Sequence, residues 1–241
     1  MQKGKYVLIT GASGGIGQAV ARKLASLGWN LYLHYHSNEE EIQALVKELR
    51  NEKIDIISLK ADLSRPVEAV HLTKHIHTLH SIVHCSGTAQ YSLFQDIKEQ
   101  EMDTLWNVHM KSPMMMTQSL LPKLLATKGS IVIISSIWGQ TGAACEVVYS
   151  SVKGAQISFV KALAKELGRS EVRVNAVAPG VVDTNMISGF SESEKMEMKE
   201  DIPFGRFAYP SETADAVAYL VSDQSSYITG QVLGVNGGWY M

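Results

Sequence analysis

Short apolar segments alternate with amphipathic segments along the whole of this 241-residue chain. The apolar segments have the length of buried strands, and the amphipathic segments repeat their apolar residues at helical spacing. The predicted strands are 6–10, 31–35, 54–59, 81–85, 130–135, 172–178 and 232–235, and the predicted helices are 16–27, 39–50, 67–77, 100–109, 114–126, 147–167 and 211–222. Because near-continuous apolar strands are typical of parallel sheets covered by helices on both faces, the pattern predicts a doubly wound α/β fold with about seven strands.

No repeat, linker or low-complexity tract divides the sequence, so we predict one domain over residues 1–241. The least regular stretch is 183–203, which is polar, contains methionine and is interrupted by Gly189. Long insertions of this kind beside a ligand site commonly act as lids, and we predict a lid here.

Composition and charge exclude several classes of protein. The formal net charge is −2, so nothing favours binding to nucleic acid or to an anionic membrane. No run reaches the 18 or more apolar residues of a membrane helix, and the two cysteines form no CxxC pair. We therefore expect a cytoplasmic protein. His71 and His75 lie four apart but have no evident third ligand, and no metal site is predicted.

A glycine-rich turn, Thr10–Gly17, lies directly between the first predicted strand and the first predicted helix. Free N–H groups and the helix dipole favour a phosphate at a helix N-terminus. Glycines allow a sharp turn and a close approach of the backbone to a pyrophosphate. The turn therefore predicts a nucleotide-binding site.

The glycine spacing resembles the TGxxxGxG motif of the classical short-chain dehydrogenase/reductase family, and the resemblance extends from Thr10 to Gly238. It implies a Rossmann-type fold that binds a nicotinamide dinucleotide. Positions matching the family's cofactor contacts are Gly11, Ser13, Gly15, Ile16, Gly17, Asp62, Gly87, Pro179, Gly180, Val182 and Thr184, together with Tyr149 and Lys153. By this resemblance Asp62 contacts the adenine, and the segment 179–184 forms the nicotinamide loop.

The end of the second strand bears on the choice between NAD and NADP. An acidic residue there binds the ribose 2′-hydroxyl of NAD. By resemblance Tyr35 takes that position, and His36 and Ser37 follow it without a carboxylate before Glu39. The short polar groups and the imidazole suit a 2′-phosphate, and NADPH is favoured over NADH. The alternative is that these residues form only a polar loop.

Tyr149 and Lys153 lie four positions apart at the start of a long predicted helix, so they share one face of it. Reduction of a ketone needs a hydride at carbon and a proton at oxygen, and a phenol with a pKa of about 10 is able to supply the proton. A neighbouring ammonium is expected to lower that pKa by roughly 1–3 units. With Ser136, the two residues match the family's Ser–Tyr–Lys arrangement.

The resemblance implies a role for each of these residues. Tyr149 donates the proton, Lys153 lowers the pKa of Tyr149 and binds the nicotinamide ribose, and Ser136 hydrogen-bonds the substrate oxygen. His109 stands where the family has an Asn that helps hold a proton-relaying water. An imidazole is able to relay protons with a pH dependence of its own. The alternative is a packed core histidine.

Further segments narrow the resemblance. Residues 203–206 and 227–238 resemble 3-oxoacyl-(acyl carrier protein) reductases. Residues 136–140, 145–149 and 153–156 look most like bacterial elongation factor P 5-aminopentanone reductases, which reduce a ketone on a modified lysine of that translation factor. A substrate carried by elongation factor P, or by acyl carrier protein, is therefore implied. A third possibility, of another class, is a non-catalytic nucleotide-sensing protein that keeps only the fold.

Two expectations concern the surroundings of the site. Glu146 precedes Tyr149 and would attract an amino group on the substrate, although an acidic residue in the first turn of a helix is also favoured by the dipole. The family usually forms tetramers through its long helices and last strand. The apolar C-terminus, residues 237–241, suits burial in such an interface, and we expect a homotetramer.

Overall fold

A seven-stranded sheet in the order β3-β2-β1-β4-β5-β6-β7 forms the centre of the molecule. The structure is a computed structural model that describes residues 4–241, and residues 1–3 of the predicted domain lie outside the described range. The strands are β1 (Tyr6–Thr10), β2 (Asn30–Tyr35), β3 (Ile56–Lys60), β4 (Ser81–His84), β5 (Ser130–Ile134), β6 (Arg173–Pro179) and β7 (Val232–Val235). All six pairings are parallel, so the predicted doubly wound sheet is confirmed.

Helices cover both faces of the sheet. They are α1 (Gly15–Ser26), α2 (Glu39–Leu49), α3 (Pro66–Thr73), α4 (Glu99–Trp106), α5 (Ser112–Thr127), α6 (Trp138–Thr141), α7 (Val147–Leu167), α8 (Glu192–Glu200) and α9 (Pro210–Val221). The predicted helices 100–109 and 114–126 prove to be one helical run, because a π-helical turn at Asn107–Lys111 joins α4 to α5. Pro113 lies in the first turn of α5, directly after this π-helical turn.

The core consists of two apolar layers, one on each face of the sheet. Successive residues of a strand point to opposite faces, and β1 contributes to both layers. Val7 and Ile9 belong to the layer under α1, α2 and α9, whereas Leu8 belongs to the layer under α3, α5 and α7. Both faces of the central strands are therefore dry, which fixes the sheet as a rigid support for the loops at its ends.

The carboxyl ends of all seven strands lie at the same edge of the sheet, because every strand runs in the same direction. The strand order reverses between β1 and β4, and such a switch point opens a crevice in which α/β proteins bind ligands. α8 lies within the predicted lid, residues 183–203, whose movement stays a prediction. Within residues 4–241, no helix is long and apolar enough to span a bilayer.

Candidate active site

The glycine turn makes close backbone contacts that a side chain would disrupt. Gly11 has a φ of +65°, and a Cβ there would lie 2.8 Å from the Cα of Ser86. A Cβ on Gly17 would lie 2.2 Å from the carbonyl oxygen of Gly11, and one on Gly15 would lie 2.6 Å from Cγ2 of Thr184. These positions accept only glycine without rearrangement, and they place the turn against the loops that follow β4 and β6.

The start of α1 suits a phosphate group. The helix begins at Gly15 after the N-cap Gly14, its first turn holds no acidic residue, and no described side chain caps it. The N–H groups of the first turn therefore keep their capacity to bind an anion, and the helix dipole adds to the attraction. Ser13 and Ile16 flank this point and are half-buried, so the cofactor positions predicted around the turn come together here.

Of the predicted cofactor residues at the end of β2, one lies in the core and two lie at the surface. Tyr35 is only 6% exposed and packs in the core, while His36 and Ser37 are exposed. The structure thus places the tyrosine side chain away from the surface at which the 2′-phosphate was expected. His36 lies 3.8 Å from a carboxylate oxygen of Asp62, so the predicted adenine-side residue is its neighbour. Lys60, at the end of β3, places its amino group 5.9 Å from the Tyr35 ring centre. The sequence analysis did not predict this contact.

The loop after β4 is fastened to β1. The hydroxyl oxygen of Thr10 accepts hydrogen bonds from the backbone N–H groups of Cys85 and Ser86, each at 3.1 Å. Gly87 follows, and a Cβ there would lie 2.7 Å from Cε1 of His109. The loop therefore passes directly between the glycine turn and the imidazole ring.

Ser136, Tyr149 and Lys153 converge beside this loop. Ser136 follows β5, whereas Tyr149 and Lys153 lie one turn apart near the start of α7, and all three side chains are at least 91% buried. The Ser136 side chain neighbours the Tyr149 hydroxyl and acts to lower its pKa. The amino group of Lys153 lies 5.3 Å from the centre of the Tyr149 ring and donates to the carbonyl oxygen of Ile134 at 2.8 Å. The structure thus brings together the three predicted reacting groups.

The pKa of the Tyr149 phenol is raised in this structure, whereas the sequence analysis expected it to be lowered. Burial raises the pKa of the phenol above its ordinary value, the charge of Glu146 raises it further, and the Ser136 side chain opposes both. Burial also lowers the pKa of Lys153 to about 7, because the ammonium is removed from water. The prediction of a lowered phenol pKa is therefore wrong for the chain by itself, since it counted the cation and neglected burial.

His109 is fully buried on the π-helical turn, and its ring meets the Tyr149 ring edge to face with 5.6 Å between centroids. Its Nε2 lies 2.8 Å from the carbonyl oxygen and 3.2 Å from the amide nitrogen of Thr88. Burial, with a smaller contribution from the Lys153 charge, lowers the pKa of His109 to about 3. The expectation of a titration near neutral pH is wrong, because the ring stays uncharged there.

Gln156 is a site residue that the sequence reasoning did not single out. It lies on α7, 2% exposed, and its amide nitrogen donates to the carbonyl oxygen of His109 at 2.8 Å. Within residues 4–241, the side-chain oxygen of Gln156 and Nδ1 of His109 are buried and have no hydrogen-bond partner. Its sequence signals were its place in the segment 153–156 and its position three residues after Lys153, on the same helical face.

The loop after β6 closes the other side of the crevice. Pro179 ends β6, and a Cβ on Gly180 would lie 3.2 Å from the Cα of Asn236. Val182 is buried and pairs with Ala208, which holds the loop in an extended form, and Thr184 then meets Gly15 across the crevice. The predicted cofactor positions on this loop thus face the glycine turn.

Glu146 lies at the N-cap of α7, three residues before Tyr149. Burial raises the pKa of Glu146, and the neighbouring side chain of Trp138 opposes that rise. The Trp138 ring in turn packs edge to face against Trp239 near the C-terminus, with 5.1 Å between centroids. A half-buried carboxylate between the reacting tyrosine and two indoles is able to bind a cationic group.

The known proteins that this chain resembles in sequence are oxidoreductases. A family model described as enoyl-(acyl carrier protein) reductase matches residues 11–240. The uncharacterized oxidoreductase YmfI of Bacillus subtilis is 49% identical over 239 residues, which cover 98% of this chain and 99% of the relative. The 3-oxoacyl-(acyl-carrier-protein) reductase FabG of Staphylococcus aureus is 33% identical over 246 residues, which cover both chains fully.

Solved structures agree in fold and sequence. A short-chain dehydrogenase/reductase of Brucella melitensis, described as a glucose/ribitol dehydrogenase, is 30% identical with a TM-score of 0.92, covering 99% of this chain and 98% of the other. A Beutenbergia cavernae structure with NADP bound at low occupancy is 26% identical with a TM-score of 0.94, covering 99% and 97%. The similarity therefore extends over the whole domain and includes the crevice described above.

Proposed function

Since this chain belongs to the classical short-chain dehydrogenase/reductase family and is an oxidoreductase, we propose that it reduces a ketone to a secondary alcohol with NADPH. The observation that carries the proposal is the buried cluster of Ser136, Tyr149 and Lys153 at the carboxyl edge of the sheet. A proton donor at this edge lies beside the crevice in which a dinucleotide binds.

Each member of the cluster has a distinct task. The Ser136 oxygen accepts the backbone N–H of Trp138 at 3.1 Å, and its hydroxyl proton, which faces Tyr149, would turn to the substrate oxygen as charge builds there. Tyr149 gives its phenolic proton to that oxygen, and protonated Lys153 stabilises the phenolate that remains. The nicotinamide, when bound, supplies the hydride for the carbonyl carbon.

The chain's residues fit the cofactor along the whole crevice. The uncapped start of α1 suits the pyrophosphate, and Asp62 lies where the adenine is expected. On the nicotinamide side, Thr184 would bind through its hydroxyl and Val182 through its backbone. We assign NADPH in preference to NADH because the exposed loop after β2 presents His36 and no carboxylate before Glu39.

We propose that His109 supports proton relay toward Lys153 by holding a relaying water at its free Nδ1. The Thr88 backbone offers Nε2 both a carbonyl oxygen and an N–H, so either tautomer has a partner there. Nδ1 is then either a free acceptor or a free donor, and a bridging water is able to use it. Such a relay keeps the ring neutral throughout, in agreement with its low pKa.

For the substrate we propose the 5-aminopentanone group on the modified lysine of elongation factor P. The support is Glu146, whose half-buried carboxylate would hold the amino group of that substrate beside the reacting ketone. Binding of an ammonium would also neutralise the charge that raises the pKa of Tyr149, and would bring the phenol nearer to its working range.

The second candidate is reduction of a 3-oxoacyl group on acyl carrier protein. It is favoured by the 33% identity to the Staphylococcus aureus reductase over the full length of both chains. A fatty-acyl substrate has no amino group, and under this alternative Glu146 would serve only the start of α7. The two candidates share the reaction at Tyr149 and differ in the role of the carboxylate.

The decisive experiment compares kcat/KM for ketone-modified elongation factor P with kcat/KM for an acetoacetyl thioester, for the wild type and Glu146→Gln. The elongation factor proposal expects a higher value for the modified protein, and a loss of roughly tenfold in Glu146→Gln for that substrate alone. A clear preference of the wild type for the thioester would overturn it in favour of the second candidate. Tyr149→Phe, inactive on both substrates, controls for a contaminating reductase.

We further propose that the protein is a cytoplasmic homotetramer. Leu233 on β7 and Tyr240 near the C-terminus are 37% and 40% exposed, and burial of such apolar side chains would stabilise an assembly through the last strand. Analytical ultracentrifugation would give four times the 26.4 kDa mass of one chain. A mass equal to one chain would contradict the proposal.

A further inference from the structure

His34 is a buried polar residue near the carboxyl end of strand β2, and it is only 2% exposed. Burial of an imidazole without partners is unfavourable, so its hydrogen bonds show what it is there to hold. Its Nδ1 lies 3.0 Å from the backbone nitrogen of Gly11, and its Nε2 lies 3.1 Å from the carbonyl oxygen of Ala61. Its own carbonyl oxygen accepts the N–H of Ala12 at 2.8 Å.

These partners define the state of the ring. The Gly11 N–H is able only to donate and the Ala61 carbonyl only to accept, so Nδ1 is the acceptor and Nε2 carries the proton. Burial lowers the pKa of His34 to about 4, so this neutral form persists at physiological pH. Both ring nitrogens are therefore satisfied by backbone groups of two different loops.

The two loops belong to opposite ends of the proposed cofactor site. Gly11 opens the turn that receives the pyrophosphate, and Ala61 immediately precedes Asp62 on the adenine side. β2 lies between β1 and β3 in the sheet, so a side chain near its carboxyl end is able to reach both. The hydroxyl of Ser86, one residue before Gly87, also lies 3.5 Å from Nδ1.

We propose that His34 is a positioning residue that fixes the pyrophosphate turn relative to the adenine loop and so sets the affinity for NADPH. It acts through Gly11 and Ala61 and does not touch the reacting atoms. Loss of the imidazole would leave a buried N–H and a buried carbonyl without these partners, and both loops would relax away from the geometry that the cofactor needs. The inference rests on the proposed use of NADPH.

The test compares His34→Leu with His34→Gln. Leucine fills the site without hydrogen bonds, whereas a glutamine amide is able to accept from Gly11 and donate to Ala61. In titrations followed by cofactor fluorescence, Leu is expected to raise the Kd for NADPH at least tenfold, with kcat at saturating NADPH within threefold of the wild type. Gln is expected to restore the Kd to within about threefold. Competition by 2′,5′-ADP, which lacks the nicotinamide half, is expected to weaken in parallel.

His80→Leu is the matched control. His80 also accepts a backbone N–H of β1 through Nδ1, from Tyr6 at 3.0 Å, but at the opposite edge of the sheet. The His80→Leu variant is expected to have a lower Tm and an unchanged Kd for NADPH. An equal rise in Kd for His80→Leu and His34→Leu would reduce the role of His34 to general stability and overturn the proposal.

The remaining outcomes separate this inference from the proposed function. If the wild type binds neither NADPH nor 2′,5′-ADP, the proposed function itself fails. If the wild type binds and His34→Leu binds as well, only the positioning role is overturned. Should His34→Leu not fold, His34→Asn takes its place. Its shorter amide is unable to reach both loops, and a Kd equal to that of His34→Gln would contradict the proposal.

Discussion

The amino group of Lys153 lies 5.3 Å from the centre of the Tyr149 ring, and both side chains are almost fully buried. Neither charged form is favoured by burial, which raises the pKa of the phenol and lowers that of the amine to about 7. Tyr149 therefore starts as a neutral phenol, and proton transfer to a substrate oxygen leaves a phenolate that Lys153, in the fraction protonated near its pKa of about 7, is placed to stabilise.

Removal of the phenolic hydroxyl is the direct test of the reaction. Tyr149→Phe is expected to lower kcat/KM for ketone reduction by roughly 10²–10⁴, because the proton donor is lost while the fold is kept. The Kd for NADPH, measured by fluorescence, should stay within about threefold of the wild type. Retention of wild-type turnover by this variant would contradict the assignment of Tyr149.

Burial of the Lys153 amine is expected to make the free energy of unfolding depend on pH. The pKa of Lys153 is about 7 in the fold, against about 10.4 in an unfolded chain. Between these values the unfolded chain binds more protons than the folded one, so this group makes the free energy of unfolding rise with pH from about 7 to about 10. Lys153→Met is expected to show a smaller rise in Tm from pH 7 to pH 9, measured by differential scanning fluorimetry.

The exposed lysine on the same helix provides the control for that measurement. Lys161→Met removes the same charge from the surface of α7 and should leave the dependence of Tm on pH as in the wild type. Identical slopes for Lys153→Met and Lys161→Met would show that burial does not shift the proton equilibrium of Lys153.

The imidazole at position 109 is expected to act without changing its charge. Because burial lowers its pKa to about 3, the pH profile of kcat between pH 5 and 8 should have no inflection that disappears in His109→Phe. The same variant is expected to lower kcat by roughly tenfold or more, because the relaying water loses its hydrogen bond to the ring. A variant with unchanged kcat would leave His109 with a packing role alone.

The contact between the glycine turn and the loop after β6 predicts a paired substitution. A Cβ on Gly15 would lie 2.6 Å from Cγ2 of Thr184, so Gly15→Ala is expected to displace that loop and weaken NADPH binding roughly tenfold. Thr184→Ser removes the methyl group and keeps the hydroxyl. The double variant should therefore bind NADPH more tightly than Gly15→Ala alone, and a failure to recover would place the defect elsewhere.

The sheet and the reacting groups were predictable because they depend on local patterns. Apolar runs identified all seven strands, and the spacing of Tyr149 and Lys153 on one helical face required only the periodicity of α7. The four-residue helix α6 was not predicted, since a single turn has too few residues to show a period. The π-helical turn at Asn107–Lys111 was missed for a similar reason, because it lies inside a continuous helical run.

The partners of buried polar groups were not predictable. Gln156 donates to His109 across 47 positions of the sequence, and His34 links loops 23 and 27 positions away. Such contacts depend on how β-strands and helices are placed in three dimensions, and no local pattern records them. The predicted lowering of the Tyr149 pKa was wrong for the same reason, because the burial that raises this pKa is a property of the packed core.

β1 is the third of the seven strands across the sheet and borders the switch point, so it divides the sheet into two parts. β2 and β3 lie on one side of it, with the proposed adenine contact, whereas β4 to β7 lie on the other, with the proposed reacting groups and nicotinamide contacts. Selection for a new substrate would thus act on the second half of the gene while the first half keeps the adenine and pyrophosphate contacts. A chimera that joins this chain to a relative just after β3 would exchange specificity as one block.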